Sequence, residues 1–134
     1  MATITRFEDL EIWQLARNLS KKIYALTFIQ PIASDFRLKD QMRGSSGSIM
    51  DNIAEGFERS SRFEFINSLS TSKGEIGELK SQLYRALDNA YISDDAFTEL
   101  YTEADILTKK TTNFITYLNT TNFKGQKFKN RDQK

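Results

Sequence analysis

The 134-residue chain has no cysteine and no histidine, a single proline at Pro31 and six glycines. Without cysteine there is no disulfide, thiolate nucleophile, zinc finger or iron–sulfur ligation. Without histidine the commonest metal ligand and general base is missing. Those two zeros exclude most standard active sites. No apolar run approaches the roughly 18–20 residues that cross a bilayer, and the N-terminus shows no basic-then-apolar leader, so a soluble, cytoplasmic chain is expected. The scarcity of proline and glycine leaves few internal breaks, and the length predicts one domain with one core.

Charge is abundant and nearly balanced, with 19 basic against 18 acidic side chains. The balance conceals a division. Residues 1–121 carry 14 basic and 17 acidic groups, net −3, whereas residues 122–134 carry five basic and one acidic, net +4. In the tail, Lys124, Lys127, Lys129, Arg131 and Lys134 surround Phe123 and Phe128, its only large apolar residues. That composition reads as a disordered basic extension, solvated or in contact with a nucleic-acid backbone, beyond a mildly acidic body.

In the body, apolar residues recur at three and four, which predicts helices throughout. The first runs from about Glu11 to Phe28 and is stopped by Pro31. A second spans about Phe36 to Phe57, and its Gly44-Ser45-Ser46-Gly47-Ser48 centre suggests small side chains that admit a neighbouring backbone. The third starts near Ser60 or Ser61, with Glu64 at capping-box spacing from Ser61, and carries Phe65, Leu69, Ser72, Ile76, Leu79, Leu83, Leu87 and Ala90. The fourth begins at Ser93 or Asp94 and ends near Asn119. Short connections between four amphipathic helices predict an all-α fold, a long antiparallel up-and-down four-helix bundle over 1–121.

With no histidine or cysteine, carboxylates are the candidate metal ligands left to search. Glu75 with Glu78, and Asp51 with Glu55, share helix faces at i,i+3 and i,i+4 and could hold magnesium if the pairs converged. With 18 carboxylates in the chain such spacings also arise by chance. The plainer expectation is a polar network of Arg43, Glu75 and Glu78, joined by Asn52 and Glu55 or turned toward a subunit contact, because a buried charge needs a partner. Arg59 and Arg62 flank Ser60-Ser61, where phosphate could meet a helix start. Lys21-Lys22 and Lys109-Lys110 read as solvated pairs, and Phe65, Phe97 and Phe114 as core. Trp13 is either intrachain core or an oligomer anchor.

The stretch Gln41-Met42-Arg43, then Ser48-Ile49-Met50-Asp51-Asn52-Ile53-Ala54-Glu55-Gly56, followed by Arg59-Ser60 and Glu64-Phe65, resembles a known four-helix-bundle family. It is the family of proteins encoded in intervening sequences of bacterial 23S ribosomal RNA genes. Phe7-Glu8-Asp9-Leu10, Trp13-Gln14, Leu26-Thr27 and Glu78-Leu79 extend the resemblance over roughly residues 7–120. Gly44 and Gly47 stand where alanines are more usual, and Gly74 is followed by Glu75 where a Gly-Ser pair is usual. The resemblance implies a helical protein with no recognised reaction and no cofactor or metal. Some members form barrel-like pentamers, and a distantly similar accessory protein of retroelements works with a reverse transcriptase and RNA.

The expectation is therefore a non-enzymatic scaffold or interaction protein that self-associates, a homopentamer being the size suggested. Trp13, Arg43, Asn52, Glu55, Glu64 and Glu78 are its candidate structural or oligomer residues. The alternative is an RNA- or nucleoprotein-binding accessory protein, with Arg59, Arg62, Lys124, Lys127, Lys129 and Arg131 on the phosphates.

Overall fold

The computed structural model describes residues 3–120, which form four helices: α1 (Glu11–Thr27), α2 (Phe36–Glu58), α3 (Arg62–Asp88) and α4 (Asp94–Thr120). Single 3-10 turns at Phe7–Asp9 and Ile32–Ser34 lead into α1 and α2. Each helix packs on the next in sequence, and α4 closes the ring against α1, which gives the up-and-down bundle. No strand occurs among the described residues.

Side-chain caps start three of the helices. Asp35 Oδ1 accepts from the Leu38 N–H (3.1 Å), Ser61 Oγ from the Glu64 N–H (3.3 Å) and Ser93 Oγ from the Ala96 N–H (3.1 Å). Each satisfies a backbone donor that the first helical turn leaves unpaired. The third helix is shorter than its apolar stripe suggested. Ala90 takes a left-handed φ of 58°, and the Ala90 and Tyr91 N–H groups donate back to the Leu87 and Ala86 carbonyls, closing α3 at Asp88. Ala90 is consequently an exposed turn residue and not a core one.

The core runs the length of the bundle, with Ile23, Met42, Ile53, Phe57, Phe65, Leu69, Ile76 and Leu83 all fully buried. Phe65 lies edge-on to Phe57 at 6.0 Å and to Phe114 at 5.5 Å, joining α2, α3 and α4. Each such side chain contributes roughly 1.5–3 kcal/mol over its exposed state. Phe97 and Phe114 are half-buried against this core.

The close approach of α2 and α3 falls away from the predicted glycines. A methyl group at Gly44 or Gly47 would meet nothing within 4 Å, whereas one at Gly56 would lie 2.5 Å from Ser68 Cβ. Serines do the remaining work in this seam. Ser45 and Ser46 are buried, Gln82 Nε2 donates to Ser45 Oγ (2.9 Å), and Ser72 Oγ donates to the Ile49 carbonyl (2.8 Å).

Candidate functional site

Two edges of the bundle gather the polar side chains singled out in the sequence, and they divide the expected network. Arg43 turns toward α1. Its Nε donates to the buried Thr27 Oγ1 (2.9 Å), and its guanidinium lies over the rings of Tyr24 (4.8 Å) and Phe28 (4.7 Å). Arg43 therefore does not pair with Glu75 and Glu78. An arginine half-buried between aromatic faces gains cation–π attraction without a carboxylate. Nearby, Lys39 Nζ stands 4.7 Å over Phe36, and farther along α1 Arg17 lies 5.7 Å over Trp13. Phe28, Ile29 and Phe36, 71%, 59% and 69% exposed, lie where α1 ends and α2 begins.

The second edge is an open groove of about 500 Å³ between α2 and α3, lined by Gln41, Gly44, Glu75, Glu78, Gln82 and Arg85, with Ser45 and Ser81. Glu75 is held above the usual carboxylate range, first by desolvation and then by Glu78 beside it. Arg85 Nη1 donates to Gln41 Oε1 (2.7 Å) at one end of the groove. Gln82, nine-tenths buried, has its amide nitrogen on Ser45 while its Oε1 accepts no hydrogen bond. Asp51 and Glu55 are not in the groove, so the two acidic pairs do not converge. Among the described residues no three acidic side chains come together as a metal ion would need.

The other candidate residues make local contacts. Trp13 is half-buried and lies edge-on to Phe7 at 5.1 Å. Asn52 Nδ2 donates to the Ser48 carbonyl (2.8 Å) and to Ser48 Oγ (3.1 Å), both one turn back on α2. Glu55 and Glu64 flank Arg59 at 3.1 and 3.6 Å, so the guanidinium offered to phosphate is already between two carboxylates. Arg62 is half-buried at the first turn of α3. Lys124, Lys127, Lys129 and Arg131, with the rest of the tail, lie outside the described residues.

The lysine pairs expected to be solvated are in part tied down. Lys22 bridges Glu99 (3.1 Å) and Glu103 on α4, Lys110 reaches back to Glu11 on α1 (3.2 Å), and Asp105 holds both Lys80 (3.0 Å) and Lys109 (3.1 Å). Partners 77 to 99 residues apart in the chain are not visible to local spacing.

A bundle of four sequential helices, with polar edges and no convergent catalytic constellation among the described residues, defines a structural class of all-α protein. The family model of the 23S rRNA-intervening sequence proteins matches residues 8–113, and the chain belongs to that family. A crystal structure of a protein of unknown function from the S23 ribosomal protein family of Bacteroides thetaiotaomicron is similar to it, with a TM-score of 0.72 at 21% identity. The match covers 78% of this chain and 97% of that one. At that identity the likeness shows the fold. No curated protein matches the chain significantly. No helix among the described residues is long and apolar enough to cross a membrane.

Proposed function

We propose that this protein is a non-enzymatic helical scaffold that associates with copies of itself, in a closed assembly of which a homopentamer is one size. The supporting observation is the end of the bundle formed by the α1–α2 turn. Phe28, Ile29 and Phe36 stay exposed there although the interior is already filled. Large apolar side chains left in water at one end of a bundle gain from being covered, and closed symmetry covers them without open-ended growth. A protein partner suits this end better than a phosphate backbone, since Arg43 there is occupied by two aromatic rings; at the opposite end of α2, Arg59 is occupied by Glu55 and Glu64.

Sedimentation equilibrium on the parent chain and on a Phe28→Ser/Phe36→Ser variant tests this reading. The parent is expected at a multiple of its 15.5 kDa mass and the variant at a lower multiple, with unchanged helical circular dichroism. Equal masses for the two would remove the apolar end from the contact. Titration with single-stranded RNA in low and high salt tests the alternative accessory role, for which salt-sensitive binding would be required.

A further inference from the structure

Two edges of the bundle are unmatched in opposite senses. On α1, Arg17, Lys21, Tyr24 and Phe28 are all exposed and follow one another at spacings of four, three and four, which places them along one edge. Arg17 and Lys21 make no ion pair among the described residues, the Glu8 that lines a recess with them being paired with Arg6, whereas Lys22, next in sequence, is held by two carboxylates. In the α2–α3 groove the deficit is reversed. Glu75 and Glu78 stand together without a cation, and the buried Gln82 Oε1 beside them lacks a donor. Arg85, the cation in that groove, is turned to Gln41. The groove thus offers two carboxylates that no ammonium or guanidinium group pairs with, and Gly44 leaves its wall open.

The two edges also share a height along the bundle. Gln82 bonds Ser45 and Ser72 bonds the Ile49 carbonyl, so Glu75 and Glu78, between them on α3, lie level with the part of α2 around Ser48. Arg43 meets Tyr24, Thr27 and Phe28 on antiparallel α1. One turn farther along α2 therefore corresponds to one turn earlier on α1, which is the level of Lys21. The same correspondence sets Phe28 level with Arg85. Cyclic symmetry permits no shift along its axis, so copies standing parallel to that axis can join only through groups at equal height.

We propose that the α1 edge of one copy, led by Lys21 and Arg17, docks in the Glu75–Glu78 groove of the next, joining copies head-to-tail. The proposal rests on the self-association reading above and supplies its interface. In that arrangement Lys21 takes the acceptors of the groove and Phe28 comes against the Arg85 guanidinium, a cation–π pairing of the kind Arg43 already makes within the chain. Glu75, now costly to ionise beside Glu78, gains the cation it lacks. A head-to-tail contact uses two different surfaces per copy, as these are, and closes into a ring when the rotation permits.

Paired charge reversals test the contact on the full chain by light scattering. Arg17→Glu/Lys21→Glu and Glu75→Lys/Glu78→Lys are each expected to bring the mass down to one protomer, because like charges then face each other. The chain carrying all four substitutions restores opposite charges and is expected to recover the parent mass. All four positions are exposed or half-buried, so helical circular dichroism should not change. A parent that is itself monomeric defeats the self-association reading. A parent assembly that survives either reversal overturns this interface and leaves that reading standing. Loss of mass without recovery in the fourfold variant also overturns it and assigns the groove to another occupant.

Discussion

Helix α2 meets α3 through buried serines and one glycine, whereas α4 is tied to α1 and α3 by lysine–carboxylate pairs at the solvent edge. The first seam excludes water and depends on volume. The second packs Ala104, Leu107 and Leu118 of α4 into the same core and adds charge only where it meets water. Hydrogen bonds between buried neutral groups contribute about 1 kcal/mol each and are indifferent to salt, while exposed ion pairs contribute less and are screened. The contrast separates what holds the bundle together from what trims its surface. It also explains why the groove above the first seam is so sparsely covered: small side chains that let two backbones approach leave little bulk at the rim.

The largest effect that could break this contrast lies at Gly56. Gly56→Ala forces a methyl group against Ser68 Cβ and should destabilise by about 1–3 kcal/mol in urea unfolding, as overpacking does. Ser68→Gly in the same chain should recover most of the loss. Failure of that rescue would mean that the seam does not depend on this approach. A smaller effect of opposite sign is expected one face away. Gly47→Ala has open space around the new methyl group and should stabilise the helix by about 0.5–1 kcal/mol.

The smallest effects are those of pH, and they run in opposite directions in the two regions. Lys80 and Lys109 hold Asp105 below the usual carboxylate range. Its contribution is present above the ordinary carboxylate value and is lost as pH falls through the lower, folded one. Glu75 is raised, so its contribution is present in acid and is lost as pH rises through its folded value. Thermal melts from mildly acidic to neutral pH should therefore lose their Glu75 slope in Glu75→Gln. Below the ordinary carboxylate range they should lose the Asp105 slope in Asp105→Asn, and added salt should weaken the Asp105 slope more than the Glu75 slope, whose first cause is desolvation. Unchanged slopes in the two variants would show that these carboxylates do not sense their neighbours.

Much of the fold is legible in the residues taken in order. The spacing of Phe65, Leu69, Ser72, Ile76, Leu79 and Leu83 marks the inner face of α3, and Ser61 announces its start. The end of α3 is not legible, because alanine is the strongest helix former and Ala90 nonetheless adopts a left-handed turn. Nor can the sequence distinguish Gly56 from Gly44 or Gly47, since only the neighbouring helix decides which glycine is crowded. Glu75 and Glu78 are visible as a pair at i,i+3. Their groove, which needs Gly44 and Gln41 from α2, exists only after folding. Arg43 looks like a partner for those glutamates until α1 supplies Thr27, Tyr24 and Phe28 instead.

The most direct test of self-association is the absolute mass of the full chain, freed of nucleic acid, by size-exclusion chromatography with multi-angle light scattering at micromolar concentration. A closed assembly predicts one sharp peak whose mass is a fixed whole-number multiple of 15.5 kDa and does not grow with concentration. A peak at 15.5 kDa over the whole concentration range would contradict it.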